Sequence, residues 1–464
     1  MLNTVLNIFK VPELRNKVLF TLLMLAIYRI GFQIPLTGID QEAFAASMEN
    51  QGDAGERLAA YVSIFSGGSL SQSTIFGLGV MPYISASIIF QLLGSAVPAL
   101  QKLKKEGQAG QRKIQEWTRY ATVVIAGLQG MFWLSYIQQQ QLVLPGFETS
   151  FWVLGLLALV AGTIFLMWLG EQIDEYGLGN GISLLILAGI VSQMPQAVLS
   201  LIQNFSIEIG AANKITIGDL LVLALCFVGV TMGAIAITQA QRRIPIQQAK
   251  HTRGRKVYGG TKQYLPLRVN HGGVMPIIFA QSLMLFPGVI FGWLDGTVNP
   301  PGPASGIFGT SVRFLNDEFD PNAAGFLYVM TMIAMIFFFS YFWTTVQFQP
   351  KEMANQLRDY GSFIPGLRPG KRTAEYLERV MNRITYVGGA FLAGIAIVPT
   401  VLTSMLGIDY TVTAFLGGTG LLIVVSVALD MVQRIEANLL MRNYKGFLAD
   451  DPKVRNKRVR GRQF

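Results

Sequence analysis

Charged side chains are scarce in this sequence. They make up 14% of its 464 residues, whereas soluble domains carry about 25%. Hydrophobic residues make up 51%, and the mean hydropathy is +0.43. This composition argues against an ordinary water-soluble enzyme and favours a membrane protein.

Cysteine and histidine are rarer still. The single cysteine, Cys226, cannot form an internal disulfide, and the two histidines, His251 and His271, are not spaced as zinc ligands. The chain also lacks a Ser/His/Asp set, paired carboxylates in mid-span and a His-Glu-x-x-His motif. We therefore expect no metal, no cofactor and no enzymatic activity.

Long apolar runs recur along the chain. A membrane-spanning helix needs about 20 mainly apolar residues. Ten candidate spans meet this length, at 18–37, 74–94, 119–138, 152–170, 181–202, 217–238, 273–294, 323–346, 384–403 and 411–431. Each must be helical, because hydrocarbon offers no water to unpaired backbone groups. The sequence predicts an all-α polytopic membrane protein with ten transmembrane helices.

Positive charges are distributed unevenly among the loops. If the N-terminus is cytoplasmic and each span crosses once, 33 of the 37 Lys and Arg residues fall in cytoplasmic segments. Three, Arg57, Lys214 and Arg313, fall in outer segments. Cationic loops stay on the cytoplasmic side of a membrane, and one missed span would invert every later loop. The split therefore predicts ten spans in the plasma (inner) membrane, with both termini cytoplasmic.

Two cytoplasmic loops, 239–272 and 347–383, are longer than topology requires; we call them the arms. Pro, Gly and aromatic residues punctuate both, so we expect shaped hairpins. Their cations could bind a partner, or they could serve topology and contact with anionic lipid. A third segment, 61–72, is rich in Ser and Gly and too short to span. It is either an interfacial helix or a half-helix that dips back among the others.

Nine short motifs, in order along the chain, carry a family resemblance. They are FSGG (65–68), GVMPYISASII (79–89), KEGQAGQRKI (105–114), GEQI (170–173), GNGIS (179–183), RRIP (242–245), LPLRVN (265–270), FIPGLRPG (363–370) and FLGGT (415–419). Together they resemble the SecY family of protein-conducting channels. The resemblance runs from the first span into the start of the C-terminal tail.

The resemblance implies two clamshell halves, 18–202 and 217–431, around an hourglass pore. Five spans in each half agree with it, since an odd number requires inverted halves. A hinge is implied in the connecting loop 203–216. The remaining segments are a cytoplasmic N-terminus, 1–17, and a basic cytoplasmic tail, 432–464.

The resemblance also implies roles for individual residues. The pore ring would be Val80, Ile84, Ile182, Ile186, Ile278 and Ile423. The plug would be 61–72, including Tyr61, Ile64, Phe65, Ser66, Gly67, Gly68, Ser69 and Leu70. The lateral gate, between spans 2 and 3 and spans 7 and 8, would include Ser87, Gln91, Thr122, Gln281, Ser282 and Phe286. Motor or ribosome binding would fall to Arg255, Lys256, Arg268, Arg358, Arg368, Lys371 and Arg372.

The implied function is translocation of unfolded secretory polypeptides, with sideways release of membrane segments into lipid. The implied partners are the SecE and SecG subunits, the SecA motor ATPase, the ribosome and its RNA, signal peptides and nascent chains, YidC, SecDF and anionic phospholipids. Without the resemblance, a secondary transporter of a small solute and a structural scaffold stay open. A transporter usually keeps ionisable groups near the midplane, and these spans carry few.

Overall fold

The computed structural model describes residues 12–41, 43, 73–139, 142–146, 148–205, 215–248, 251–253, 256–258, 262–298, 306–319, 325–406, 412–413, 416 and 418–449. Its helices, numbered in chain order, are α1 (Pro12–Gly31), α2 (Met81–Ala96), α3 (Pro98–Lys105), α4 (Gln108–Gln139), α5 (Glu148–Tyr176), α6 (Gly181–Asn204), α7 (Ile217–Gln239), α8 (Met275–Val298), α9 (Gly306–Phe319), α10 (Phe326–Gln347), α11 (Pro350–Asp359), α12 (Lys371–Leu406) and α13 (Thr419–Ala449). Each of the ten predicted spans overlaps one of them; α3, α9 and α11 lie between spans.

Length and apolar composition alone select fewer spans. Among the described residues, five helices are long and apolar enough to cross a membrane, or six if the bent pair Met81–Gly94 and Pro98–Lys104 counts as one. The end helices α1 and α13 miss this criterion because each mixes charged residues with its apolar ones. The prediction of ten transmembrane helices rests on the alternation of charge between loops as well as on hydropathy. The observed helices are consistent with it.

Several predicted span boundaries differ from the ends of the helices, among them the end of the first span and the start of the second. The first helix ends at Gly31 rather than 37, because Pro35 disfavours helix at the residue before it. The second begins at Met81 rather than 74. Residues 73–80 form turns that return to the end of α1, where the N–H of Ile75 donates to the carbonyl of Ile34 at 3.2 Å. Proline at 82 then suits the first helical turn.

The arms contain the strands of the fold. The first arm holds β1 (Gln241–Gln248), β2 (His251–Arg253), β3 (Lys256–Tyr258) and β4 (Lys262–Arg268), and the second holds β5 (Ser362–Phe363). Strand β1 pairs antiparallel with β4, from Gln241 opposite Arg268 to Gln247 opposite Lys262. A hairpin was expected in this arm and is confirmed.

The two arms are joined, which the sequence did not indicate. Strand β5 pairs with β1, so the order in the sheet is β4-β1-β5. Beneath it, Ile244 and Leu267 of the first arm share a buried cluster with Ile364 and Leu377 of the second. The mainly helical fold therefore carries a three-stranded sheet built from both arms, and a two-stranded sheet of β2 and β3 within the first arm.

Helix packing repeats between the first five spans and the last five. In the first set, α2 contacts α4, α4 contacts α5, α5 contacts α6, and α1 contacts both α5 and α6. The equivalent pairs in the second set are α8 with α10, α10 with α12, α12 with α13, and α7 with both α12 and α13. The sets meet where α2 packs on α8 and α6 packs on α13. A two-fold exchange of the halves maps each of these two pairs onto itself.

Glycine allows the turn segment 73–80 to lie against α5. A Cβ built at Gly162 would collide with the backbone carbonyl of Ile75, and backbone cannot swing aside as a side chain can. At Gly127 on α4, a Cβ would meet open space. The pair offers a matched test of close packing in the N-terminal half.

We expect Gly162→Ala to lower stability by about 1–3 kcal/mol, because overpacking forces a backbone shift. Gly127→Ala adds the same methyl group without a neighbour. Thermal unfolding of both purified variants in one detergent would check this. Equal midpoints for the two variants would contradict the close approach.

Candidate functional site

The predicted ring residues share one apolar cluster between the halves. The cluster contains Val80, Ile84, Ile186, Ile278 and Ile423, and Ile182 packs against it. The first five are at most 5% exposed, whereas Ile182 is half-buried. Val80 is the N-cap of α2, and the others come from α2, α6, α8 and α13, the four helices at which the halves meet. Both halves therefore contribute aliphatic side chains to one cluster.

Local hydrogen bonds fix the position of the first turn of α6, and therefore the position of Ile186 along the axis between the halves. The Asn180 side chain accepts from the N–H of Ser183 at 3.0 Å, and Asp174 accepts from the N–H of Gly181 at 2.7 Å. The Thr21 hydroxyl of α1 accepts from the N–H of Leu178 at 3.1 Å. These bonds hold the turn before α6 from three directions, as capping side chains do.

The structure distinguishes Ile182 from Ile190 on α6, which sequence spacing could not do. The Cδ1 atom of Ile182 lies 2.6 Å from where a Cβ would sit on Gly170, so this side chain packs against α5 in its own half. Ile190, one turn beyond Ile186, is 3% exposed and belongs to the shared cluster. Because residues 182, 186 and 190 share i, i+4 spacing, the sequence alone could not choose between the two pairs. Ile190 was missed.

A cavity of about 230 Å³ lies on the arm side of the ring. Its lining includes Ser183 of α6, Met275 of α8 and Ser426 of α13, each three residues from a ring residue of the same helix. A second, polar cavity of about 470 Å³ lies at the base of the arms, lined by Thr238, Gln239, Gln241, Arg243, Arg268 and Gln433. The predicted plug, 61–72, lies outside the described residues.

One predicted gate residue contacts the opposite half. Ser282 of α8 is 3% exposed, and its Oγ lies 3.9 Å from the Sδ of Met81 on α2. The same hydroxyl donates to the carbonyl of Ile278 at 2.7 Å. A thioether is a weak acceptor, so this polar contact adds little to the apolar packing of α2 on α8. We call this boundary the α2–α8 seam.

Four other predicted gate residues, Ser87, Gln91, Thr122 and Gln281, form hydrogen bonds within their own halves. Gln281 of α8 donates to the Thr419 hydroxyl of α13 at 3.0 Å. Gln91 donates to Ser87 along α2 at 3.2 Å. Thr122 is fully buried on α4 and donates to the carbonyl of Thr118 at 2.8 Å. The side chain of Phe286 lies outside the described part of the chain.

The predicted arm cations fall in two places. Arg268 lines both cavities at the pore mouth, where it donates to Gln433 of α13 at 3.2 Å. Arg358, Arg368, Lys371 and Arg372 are exposed on the second arm. Arg255 lies outside the described residues, and Lys256 is on β3 with its side chain undescribed.

Arg368 follows a tight turn that is anchored to the arm core. The N–H of Leu367 donates to the carbonyl of buried Ile364 at 3.0 Å, and Gly366 adopts φ of 85°. Lys371 and Arg372 then open α12. Cations at a helix N-terminus oppose the helix dipole, so helix stability does not account for them.

Histidine does not supply charge at the pore mouth. His271 lines the smaller cavity and lies 5.8 Å from Phe348, ring centre to ring centre. Burial lowers the pKa of His271 below its ordinary value, although a hydrogen bond to the backbone of Arg268 acts in the opposite direction. The imidazole is therefore neutral at pH 7, and Arg268 supplies the positive charge there.

The fold and the site define a multi-pass helical membrane channel, with an apolar constriction between two five-helix halves. Residues 74–432 match the family model for SecY. The chain is 39% identical to the protein translocase subunit SecY of Thermotoga maritima, over 98% of this chain and 99% of the relative. It belongs to the SecY family.

Solved structures of this fold are similar at lower identity. One, described as a protein-conducting channel, is 19% identical, with a TM-score of 0.60 over 91% of this chain and 92% of that chain. Another, Sec61 in a canine ribosome–channel complex from the endoplasmic reticulum, is 19% identical, with a TM-score of 0.56 over the same shares. Membership in a family of translocase subunits rules out the transporter and scaffold alternatives, and the chain is not an enzyme.

We expect Ile278→Asn to loosen the closed ring, because a buried amide without a partner costs about 1–3 kcal/mol. Ion leak from proteoliposomes should rise, and substrates with defective signal sequences should pass. Ile290→Asn on the same helix is the control, since Ile290 is 51% exposed. Equal leak from the two variants would contradict the ring. A second comparison tests the ring on α6. In the same assay, proteoliposomes with Ile190→Asn should leak more ions than those with Ile182→Asn, because Ile190 is the more deeply buried of the two.

Arg368→Glu should slow partner-driven export about two- to fivefold, the scale of one exposed ion pair. The difference from wild type should shrink as salt is raised. Lys104→Glu in the exposed α3 makes the same charge change outside the arms. Initial rates of translocation across a salt series would measure both. Normal export by the Arg368 variant would reject a docking role.

Proposed function

We propose that this chain is the pore of a protein translocase, passing unfolded secretory polypeptides through its aliphatic ring and releasing membrane segments sideways between α2 and α8. One observation carries the proposal. Buried aliphatic side chains from four helices, two in each half, meet beside a cavity on the arm side. A passage between the halves would run through that point.

The chemistry of the ring suits a chain of varied sequence. Aliphatic groups make weak, non-directional contacts, so no passing side chain would be held strongly. They also disfavour water in a narrow constriction, which resists ion leakage. On α6, burial supports a ring of Ile186 with Ile190, because Ile182 is only half-buried and also packs against Gly170 of its own half.

The α2–α8 seam would sort segments by hydropathy. An apolar segment of about 20 residues gains free energy in lipid, whereas a central Lys, Arg or Asp costs roughly 2.5–3.5 kcal/mol on insertion scales. The polar contact that crosses the seam, from Ser282 to Met81, is weak. Separation of α2 from α8 would therefore break few directional bonds.

The connecting loop 203–216 would act as the hinge. At its ends, Phe205 and Ile215 form a parallel β-bridge. Thr216 and Asp219 form a capping box at the start of α7, which would keep bending out of that helix. The Ser/Gly-rich segment 61–72 would serve as the plug, since small residues pack loosely and can leave.

The arm side would be cytoplasmic, because it carries most of the Lys and Arg residues. Exposed cations at Arg368, Lys371 and Arg372 would attract the phosphates of ribosomal RNA or acidic patches of a motor ATPase such as SecA. The Sec61 neighbour is described in a ribosome complex. SecE and SecG would complete the membrane complex, and anionic lipid would contact the remaining basic residues.

Crosslinking the seam tests the proposal. Cys226 is the sole cysteine, so a Cys226→Ser background accepts new pairs. Met81→Cys with Ser282→Cys, joined by a short cleavable thiol reagent, should abolish translocation into proteoliposomes until the link is reduced. Leu134→Cys with Gly155→Cys, which joins α4 to α5 within one half where the two residues touch, should leave the rate unchanged. Full transport through a crosslinked seam would refute the gate.

A further inference from the structure

The short helix α9 lies along the half of α8 that is farther from the arms. The Phe319 ring lies 5.3 Å from that of Phe291, centre to centre, and Arg313 Nε lies 3.9 Å from Asp295 Oδ1. Between them, a Cβ on Gly292 would lie 3.5 Å from Asn316 Oδ1. Later residues of α9 meet earlier residues of α8, so the two helices run antiparallel over two turns.

This half of α8 is a poor helix by its sequence. Pro287 lies inside the helix, and Gly288, Gly292 and Gly296 follow it at every fourth position. Proline removes a backbone hydrogen bond, and glycine is the next weakest helix former. Residues 287–298 therefore depend on packing from outside more than an ordinary span does.

The other half of α8 is held by α10. Phe279 lies edge-to-face with Phe339 and Trp343 at centre distances of 5.7 Å and 5.6 Å. This half also carries Ile278 of the ring and Ser282 of the seam. The two halves of the gate helix are thus supported by different neighbours, on either side of Pro287.

Glu318 joins α9 to α10. Its Oε2 accepts from the backbone N–H of Leu327 at 3.0 Å, in the first turn of α10. A carboxylate at this position satisfies an unpaired amide and complements the helix dipole. The preceding Gly325 lies so close to the backbone of Glu318 that a Cβ there would collide with it. Through Glu318 and Phe319, α9 therefore links α8 to α10.

We propose that Glu318 is a positioning residue of the lateral gate. Through α9, Glu318 links residues 287–298 of α8 to α10, and we call this link, made by Glu318 and Phe319, the clip. Because of it, α8 moves as part of the C-terminal half when the seam opens. This rests on the proposed gate between α2 and α8. Without the clip, residues 287–298 shift relative to α10, the closed seam is less well defined, and poor signal sequences pass.

Two spin-label pairs separate the clip from the gate. In the full-length Cys226→Ser chain, Ile290→Cys with Met330→Cys reports α8 against α10, and Ile290→Cys with Ile89→Cys reports α8 against α2. All three side chains are at least 44% exposed. Distances are measured in phosphatidylethanolamine–phosphatidylglycerol vesicles, with and without a synthetic signal peptide whose leucine core is about 12 residues.

In the protein that keeps Glu318 and Phe319, the signal peptide should lengthen the distance between the labels at 89 and 290. The distribution of distances between the labels at 290 and 330 should stay narrow and unchanged. Glu318→Ala should broaden the 290–330 distribution and raise passage of signal-defective substrates about fivefold, the equivalent of one lost helix cap. Glu318→Gln keeps an acceptor for Leu327 and should behave nearly as wild type. Phe319→Ala cuts the clip on its α8 side and should broaden the same distribution, should Glu318→Ala fold poorly.

The outcomes are distinct. A narrow 290–330 distribution in both Ala variants overturns the clip and leaves the gate standing. An 89–290 distance that never responds to the peptide overturns the gate itself, and with it the role given to Glu318. Normal signal stringency in a variant with a broadened distribution overturns the link from clip to gating.

Discussion

Contact between aliphatic side chains of the two halves is the interaction on which the rest of the structure depends. In the described residues, the halves meet mainly through apolar packing of α2 on α8 and of α6 on α13. Dispersion contacts of this kind are individually weak and have no fixed direction. Contacts of this kind can separate while breaking few directional bonds.

Polar interactions serve a different purpose: they position the apolar ones. Asp174, Asn180 and Thr21 hold the turn that sets the level of α6. Gln281 ties α8 to α13 within the C-terminal half, and Glu318 ties α9 to α10. These strong, directional bonds lie inside the halves. Each half can be rigid for this reason, while the boundary between them stays soft.

Much of this was predictable, because span number follows from hydropathy and loop charge, which are properties of the sequence itself. Side-chain direction was harder. Residues 182, 186 and 190 repeat at helical spacing, and only packing against Gly170 shows which of them faces its own half. The joining of the arms through β5 depends on a pairing across more than 100 residues, which no local pattern encodes. Arg268 was grouped with the arm cations, and only the folded chain shows that it also lines both cavities at the base of the arms.

Crosslinking to a stalled substrate tests the central claim most directly. A translocating polypeptide is halted by a folded domain at its end, in channels that carry one cysteine at Ile278 or at the exposed Ile290 in the Cys226→Ser background. The account predicts that a photoreactive probe at 278 joins the stalled chain, while the same probe at 290 does not. Equal labelling from both positions, or labelling from 290 alone, would show that the polypeptide does not cross between the halves.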